Sequence, residues 1–499
     1  MMAQMRQEST LSLLADAAGD LLVDVAGDPS TSITDVSYDS RRVSEGHLFF
    51  CVPGATVDGH DFASAAVDAG AVALCVERAV SPGVAQLIVS DVRRAMGRIS
   101  AAFFGSPADG LAVLGVTGTN GKTTTAFLVE SILRADGRST GLIGTIETRV
   151  GDRIKPGVRT TPESLDLQRL FAEMRAEGVD SVAMEVTSHA LALHRVEGVR
   201  FQAAGFTNLS QDHLDFHRDM DEYFEAKSVL FEEFRSDRGA INVDDPYGRR
   251  LIASASVPCV GFGTTEEADV RATGVSFGPT GSRFTIATSK GDVAVETSLI
   301  GGFNVSNCLA AAAMALQAGI GLDPIEIGLR SLPAVPGRFE SIDCGQPFSV
   351  VVDYAHTPDS LDNVLRAARG VTREARVICV FGCGGDRDRG KRPLMGSVAA
   401  QLADVVVVTS DNPRTEDPHA IIDEILEGVI AHTPDGPDVV TADRTEAISA
   451  AMKKAQPGDV VVIAGKGHET GQEFADHTIP FDDRAVARAA LAELGWNRS

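Results

Sequence analysis

The run Gly118-Thr119-Asn120-Gly121-Lys122-Thr123-Thr124 constrains this chain more than any other segment, because an apolar stretch (residues 111–116) leads into it and a helical pattern (residues 123–134) leaves it. A strand, a glycine-rich turn and a helix in that order make a phosphate cradle. Glycine lets backbone N–H groups crowd around phosphate oxygens, and the helix N-terminus favours their charge. Lys122 can bridge the terminal phosphates, and a threonine hydroxyl can hold Mg²⁺. The strict G-x-x-x-x-G-K-[ST] spacing is not met, since Val116 stands where the first glycine belongs. ATP or GTP is the expected ligand; a surface loop without a ligand is the plainer alternative.

Around this run, short Val/Ile/Ala-rich segments alternate with Ala/Leu/Glu-rich helical patterns, which predicts an α/β fold with mostly parallel sheets. At 499 residues the chain exceeds what one hydrophobic core supports, so about three domains are expected. Pro- and Gly-rich joints at Phe104-Gly105-Ser106-Pro107 and Leu332-Pro333-Ala334-Val335-Pro336-Gly337 divide it into residues 1–107, 108–336 and 337–499.

A formal charge of −24 argues against broad binding to nucleic acid or to an anionic membrane, so an anionic ligand must be held by local cations and amides. The seven cysteines are scattered, odd in number and mostly set in apolar runs, which reads as reduced core thiols. Only Cys379 and Cys383 are close together, too little for a structural metal site. No secretory signal and no apolar run of membrane-spanning length is evident, so a cytoplasmic location without membrane insertion is expected.

Three segments of the middle block carry candidate chemistry. Residues 180–186 read as a buried strand that delivers Glu185 near its carboxyl end, where ligands of open α/β sheets bind. That carboxylate is either a hard oxygen ligand for Mg²⁺ or a cap or salt-bridge partner. A second strand (residues 201–206) runs into a segment with two His and two Asp, including Asp212, His213 and His217, which are ligands, caps or turn residues. Lys227 follows on an amphipathic helix, where a lysine ordinarily lies solvated.

In this order, the phosphate run, Met184-Glu185-Val186-Thr187-Ser188-His189, the segment 208–217, Ala226-Lys227 and Asp353-Tyr354-Ala355-His356-Thr357-Pro358 resemble the Mur ligases of peptidoglycan synthesis, over residues 38–469. The resemblance implies an N-terminal uridine-nucleotide-binding α/β domain, a central P-loop ATPase domain and a C-terminal Rossmann-like domain that brings an amino acid. It implies that ATP is bound by Gly118, Thr119, Asn120, Gly121, Lys122, Thr123 and Thr124, with Asn307 at the adenine, Asp353 at the ribose and Arg338 at the transferred phosphate. An interdomain salt bridge is the plainer reading of Arg338. Mg²⁺ is implied at Thr123, Glu185, His213 and Lys227, the lysine carrying a CO₂-derived carbamate; Lys122, Lys227, His213 and Arg338 form the implied catalytic set. A carbamate is the chemically sensible form there, because an ammonium beside divalent cations adds repulsion where an anionic oxygen is wanted.

For substrates, the resemblance implies UDP-N-acetylmuramoyl-L-alanyl-D-glutamate, held by Tyr38, Ser40, Thr160, Thr161, Ser188 and Arg195. Taken alone, Thr160 and Thr161 read as turn residues before Pro162. Leu193 departs from the family pattern, which has a polar residue there, and Thr187 replaces a frequent serine. Three further strands end in polar motifs, at Arg387, at Asp411-Asn412-Pro413-Arg414 and at Gly465 to Glu469. The second is similar to the family's signature for meso-diaminopimelate. An arginine can take that amino acid's extra carboxylate bidentately while acids take its distal ammonium, and an Asx turn at Asn412 is compatible with this. Competing readings are a lysine-adding relative, a folylpolyglutamate synthetase with the same ATPase core, and a nucleotide-gated switch that forms no product.

Overall fold

The computed structural model describes residues 8–54, 57–81, 83–278, 280–372 and 375–497. They fall into two compact units, one of Met1–Gly115, Gly137–Ala204 and Val229–Arg238, the other of Val116–Asp136, Gly205–Ser228 and Gly239–Ser499. Among the described residues no helix is long and apolar enough to cross a membrane.

The first unit opens with a five-stranded sheet in the order Leu22–Ala26, Ala85–Val89, Ala71–Val76, His47–Phe50, Asp35–Ser37. All neighbours are parallel except the first pair. Period-two alternation sends Leu48, Phe50, Ala73 and Cys75 to one core, shared with the helices Leu11–Ala18 and Val92–Phe103, and Phe49, Cys51, Leu74 and Val76 to another. The unit also holds the parallel pair Thr140–Ile143 and Ser181–Glu185, flanked by an antiparallel hairpin, Glu147–Val150 and Arg153–Pro156. The expected strand 180–186 is thus Ser181–Glu185, all five residues buried.

In the second unit, the helix Lys122–Ala135 starts directly after the phosphate run, as the sequence predicts, and packs against Gly302–Gln317 and Leu322–Ser331. Parallel strands Gly239–Asn242, Cys259–Gly263 and Val270–Gly278 lead into an antiparallel meander, Gly281–Thr288 and Gly291–Thr297.

Downstream lies a six-stranded sheet in the order Glu340–Ser341, Ser349–Asp353, Val460–Ala464, Val377–Phe381, Val405–Val408, Val439–Val440, parallel apart from its first pair. Cys379, Phe381, Val406, Val408 and Val462 face the helices Pro358–Thr372, Lys391–Leu402 and Pro418–Ile430. Their neighbours Ile378, Val380, Val405, Val407 and Ile463 face Arg444–Lys454 and Asp483–Glu493. Helices on both faces explain why these strands are continuous apolar runs. The last of these six strands in chain order, Val460–Ala464, inserts between Ser349–Asp353 and Val377–Phe381, which makes a topological switch point. The loops after Asp353, Phe381, Val408 and Ala464 therefore gather at one edge.

Candidate active site

Gly118 (φ 148°) and Gly121 (φ 88°) sit where a side chain has no room. A Cβ on Gly118 would lie 1.9 Å from Thr207 Oγ1, and one on Gly121 would lie 2.3 Å from Asn307 Oδ1. The loop is tied down from behind: Thr119 N–H donates to the Asn208 carbonyl (2.9 Å), Asn120 N–H to Asn208 Oδ1 (2.9 Å), and Thr207 Oγ1 donates to the Asn120 carbonyl (2.6 Å). Asn120 Nδ2 donates to Asp359 Oδ2 at 2.8 Å, and Asp359 stands in the first turn of Pro358–Thr372. Lys122 Nζ folds back onto the carbonyls of Gly118 (2.9 Å) and Thr119 (2.8 Å). Arg338 Nη2 donates to Thr123 Oγ1 at 3.0 Å and its guanidinium lies 4.4 Å over the Tyr354 ring, while its buried Nε has no partner among the described residues. A side-chain-free loop, a lysine and an arginine with a spare donor suit a polyphosphate.

Lys227 is not solvated as helix patterning alone suggests; it is 1% exposed, on the helix Met220–Ser228. Its Nζ donates to Gly118 O at 2.9 Å and lies 4.6 Å from the centroid of the Tyr223 ring. Tyr223 stacks on His217 (5.0 Å) and its hydroxyl meets Thr119 Oγ1 at 3.1 Å. Burial, and then the nearby Lys122 charge, push the Lys227 amine well below the ordinary lysine range.

His213 adopts a left-handed backbone (φ 56°) and its Nε2 lies 3.4 Å from Asp212 Oδ2; His356 Nε2 lies 3.8 Å from the same oxygen. Burial raises the Asp212 carboxyl, but His213, His356 and Lys391 outweigh it and hold it at about 2. Asp353 accepts from Phe339 N–H (2.6 Å) and Ala355 N–H (2.7 Å), and burial raises it to about 6. Asn307 Nδ2 donates to Asn304 Oδ1 at 3.1 Å, from the first turns of Gly302–Gln317.

At the strand ends of the six-stranded sheet, Asp411, Asn412, Gly465 and Glu469 of the set expected from sequence come together. Asn412 Nδ2 donates to Glu469 Oε2 (2.8 Å), and the buried Lys466 Nζ bridges Asn412 Oδ1 (2.8 Å) and Glu469 Oε2 (3.0 Å). Gly465 (φ 119°) packs on Asp411, whose Oδ2 would be 2.4 Å from a Cβ. Arg414, left-handed after Pro413, donates from Nε to Glu473 Oε2 and from Nη1 to the Gly385 carbonyl, both at 2.9 Å. Arg387 is exposed on the neighbouring loop.

The first unit holds the other expected residues. Glu185 is buried and accepts from Thr145 N–H (2.8 Å) and Thr145 Oγ1 (3.0 Å); Thr160 Oγ1 meets the same hydroxyl at 3.0 Å. Thr161 Oγ1 donates to the Glu185 carbonyl (2.9 Å) and accepts from Thr187 N–H (3.1 Å). Arg195 pairs with Glu163 at 3.0 Å, while Ser188 starts the short helix Ser188–Ala192. Tyr38 donates to Asp166 Oδ2 (2.5 Å) at the wall of a cavity of about 110 Å³ that Asp39, Arg42, His47 and Arg169 also line. Ser40 opens the adjoining turn Ser40–Arg42.

Among the described residues no group of three or more His, Cys, Asp or Glu gathers as a metal cage. Sequence reasoning missed Tyr223, Glu163, Lys466, Arg392 and Glu416; single acids, aromatics and cations in helical or loop patterns carry no local signal of their partners.

A glycine-rich loop that opens a helix, together with polar loops at the switch point of a parallel sheet, marks a nucleotide-using enzyme of the α/β class. Three family models match: the Mur ligase family catalytic domain at residues 32–104, the Mur ligase middle domain at 116–315 and the Mur ligase glutamate ligase domain at 337–467. The chain belongs to the Mur ligase family.

It is 50% identical over 492 residues to a UDP-N-acetylmuramoyl-L-alanyl-D-glutamate--2,6-diaminopimelate ligase of Geobacillus kaustophilus, covering 97% of this chain and 99% of that one. A ligase of the same name from Streptomyces coelicolor is 49% identical over 489 residues, covering 96% of each chain. A solved structure under that name matches with a TM-score of 0.70 at 33% identity, over 98% of this chain and 99% of the other. A folylpolyglutamate synthase of Mycobacterium tuberculosis, solved with ADP and AMPPCP, shares the fold alone (TM-score 0.61, 17% identity, 81% of this chain and 96% of that one).

Proposed function

We propose that this ligase adds meso-diaminopimelate to the D-glutamate of UDP-N-acetylmuramoyl-L-alanyl-D-glutamate, in the cytoplasm, during assembly of the peptidoglycan precursor. Arg414 carries the amino-acid assignment. Its guanidinium is held by Glu473 and the Gly385 carbonyl, on the same loop as Asn412, whose side chain holds Lys466 and Glu469. A substrate with one carboxylate and one ammonium more than a simple α-amino acid is complementary to such a mixed set.

In the reaction, the D-glutamate carboxylate oxygen attacks the γ-phosphorus of ATP, the bond to ADP breaks, and an acyl phosphate forms. The diaminopimelate amine then attacks the acyl carbon, loses a proton and expels phosphate, leaving an amide. Lys122 and Arg338 neutralise oxygens on the transferred group, and the rigid loop orients it in line. By the family resemblance, Thr123, His213, Glu185 and a carbamylated Lys227 would supply the oxygen and nitrogen donors for Mg²⁺. Bound there, Mg²⁺ supplies charge neutralisation to the phosphates. Burial shifts Lys227 toward its uncharged amine, the form that adds to CO₂ with loss of a proton, which favours the carbamate.

The same reading assigns residues 1–107 to the uridine nucleotide, with Tyr38 and Ser40 as contacts, residues 108–336 to ATP, with Thr160, Thr161, Ser188 and Arg195 as contacts to the sugar-peptide, and residues 337–499 to the amino acid. Phosphate release is the test, with ATP, Mg²⁺ and meso-diaminopimelate present and either the UDP-muramoyl dipeptide or a reduced folate with glutamate as acceptor. Release with the muramoyl dipeptide alone supports the proposal; release only with folate contradicts it.

A further inference from the structure

Two residues at the amino-acid end take a left-handed backbone although neither is glycine: Asp386 (φ 53°) and Arg414 (φ 51°). L side chains disfavour that conformation, so surrounding contacts must impose it. The contacts run between the two loops. Gly385 N–H donates to the Asn412 carbonyl (2.9 Å), and a Cβ on Gly385 would lie 1.9 Å from the Pro413 carbonyl. Thr415 Oγ1 (2.6 Å) and N–H (3.2 Å) both donate to the Asp386 carboxylate.

Behind these loops Glu416 uses both carboxylate oxygens. Oε1 accepts from Asp386 N–H (2.6 Å) and from Arg392 Nη2 (2.8 Å); Oε2 accepts from Arg392 Nη1 (2.9 Å). Arg392 is 0% exposed, at the start of the helix Lys391–Leu402, and reaches Glu424 Oε2 (2.9 Å) and the Gly384 carbonyl (3.3 Å) as well. A bidentate arginine–carboxylate pair fixes both position and plane, and here one oxygen also holds the backbone of the loop that bears Arg387.

We propose that the Arg392–Glu416 pair is a positioning device for amino-acid selection, clamping residues 384–387 to residues 411–416 so that Arg387 and Arg414 meet a dicarboxylic diamino acid in fixed geometry. The inference rests on the reading that Arg414 receives the distal carboxylate. An ion pair serving stability alone would not need the second acceptor bond from Asp386 N–H. Selection by two guanidinium groups on separate loops does need it, because a shift of about 1 Å between them forfeits bidentate contact.

Glu416→Gln keeps the shape but turns an NH₂ group toward a donor. Expected is a rise of about tenfold in KM for meso-diaminopimelate and a matching loss of preference over L-lysine, with KM for ATP and for the muramoyl dipeptide within about twofold of wild type. Thr415→Val, at an exposed position, moves KM in the same direction by a smaller factor and carries the test if Glu416→Gln does not fold. Wild-type enzyme that does not turn over meso-diaminopimelate removes the substrate reading and the inference with it. Wild-type turnover with unchanged KM for the amino acid in both variants, or an equal rise in KM for ATP, overturns the inference alone.

Discussion

Lys122 and Lys227 donate to one backbone oxygen, that of Gly118, each at 2.9 Å. Two ammonium groups on one carbonyl repel, and burial together with the Lys122 charge lowers the proton affinity of Lys227.

Lys227→Ala and Lys227→Arg are therefore both expected to lower phosphate release by about 100-fold or more, since neither can carry a carbamate oxygen. Initial rates in CO₂-depleted buffer check the modification directly: wild type slows and bicarbonate restores it. Full activity in Lys227→Arg would mean that a cation suffices.

Gly121→Ala places a methyl 2.3 Å from Asn307 Oδ1 at a left-handed φ of 88°. The strain is expected to destabilise the protein by about 1–3 kcal/mol and to weaken ATP binding more than amino-acid binding. Thermal melts with and without ATP separate the two effects.

Arg444 and Asp483 form a fully buried pair at 2.7 Å, and Arg444 also donates to the carbonyls of Ser410 (3.2 Å) and Ala464 (2.9 Å), at the roots of two amino-acid loops. Asp483→Asn leaves a buried guanidinium uncompensated, so a loss of about 3–5 kcal/mol in denaturant stability is expected.

His468 is pushed down to about 3 by burial and then by Arg338, Arg484 and Lys466. An unfolded histidine takes its proton near pH 6.5, so between about 6.5 and 3 the unfolded chain binds more protons and stability falls as pH falls. His468→Gln is expected to flatten that slope in denaturant titrations at pH 5 to 7, within the range where the wild-type protein stays folded. An unchanged slope would put the titrating groups elsewhere.

Much of this was legible in the sequence because it is local. The phosphate run fixed its own strand and helix, and the unbroken apolar runs at residues 377–381 and 460–464 follow from cores on both faces of one sheet. Lys227 reads as solvated because helical period places it without saying what covers it; Tyr223, one turn earlier on the same helix, and the phosphate loop, 109 residues away, do that. The same holds for Arg392 and Glu416. Their pairing joins the start of one helix to the loop before the next, and no periodicity encodes a partner that the sheet topology brings in.

The most direct test of the account is product mass after incubation with ATP, Mg²⁺ and UDP-N-acetylmuramoyl-L-alanyl-D-glutamate, with meso-diaminopimelate, with L-lysine or with neither. The account predicts a tripeptide product and phosphate release with meso-diaminopimelate only. A lysine-bearing product formed at equal or greater rate would contradict the role given to Arg414.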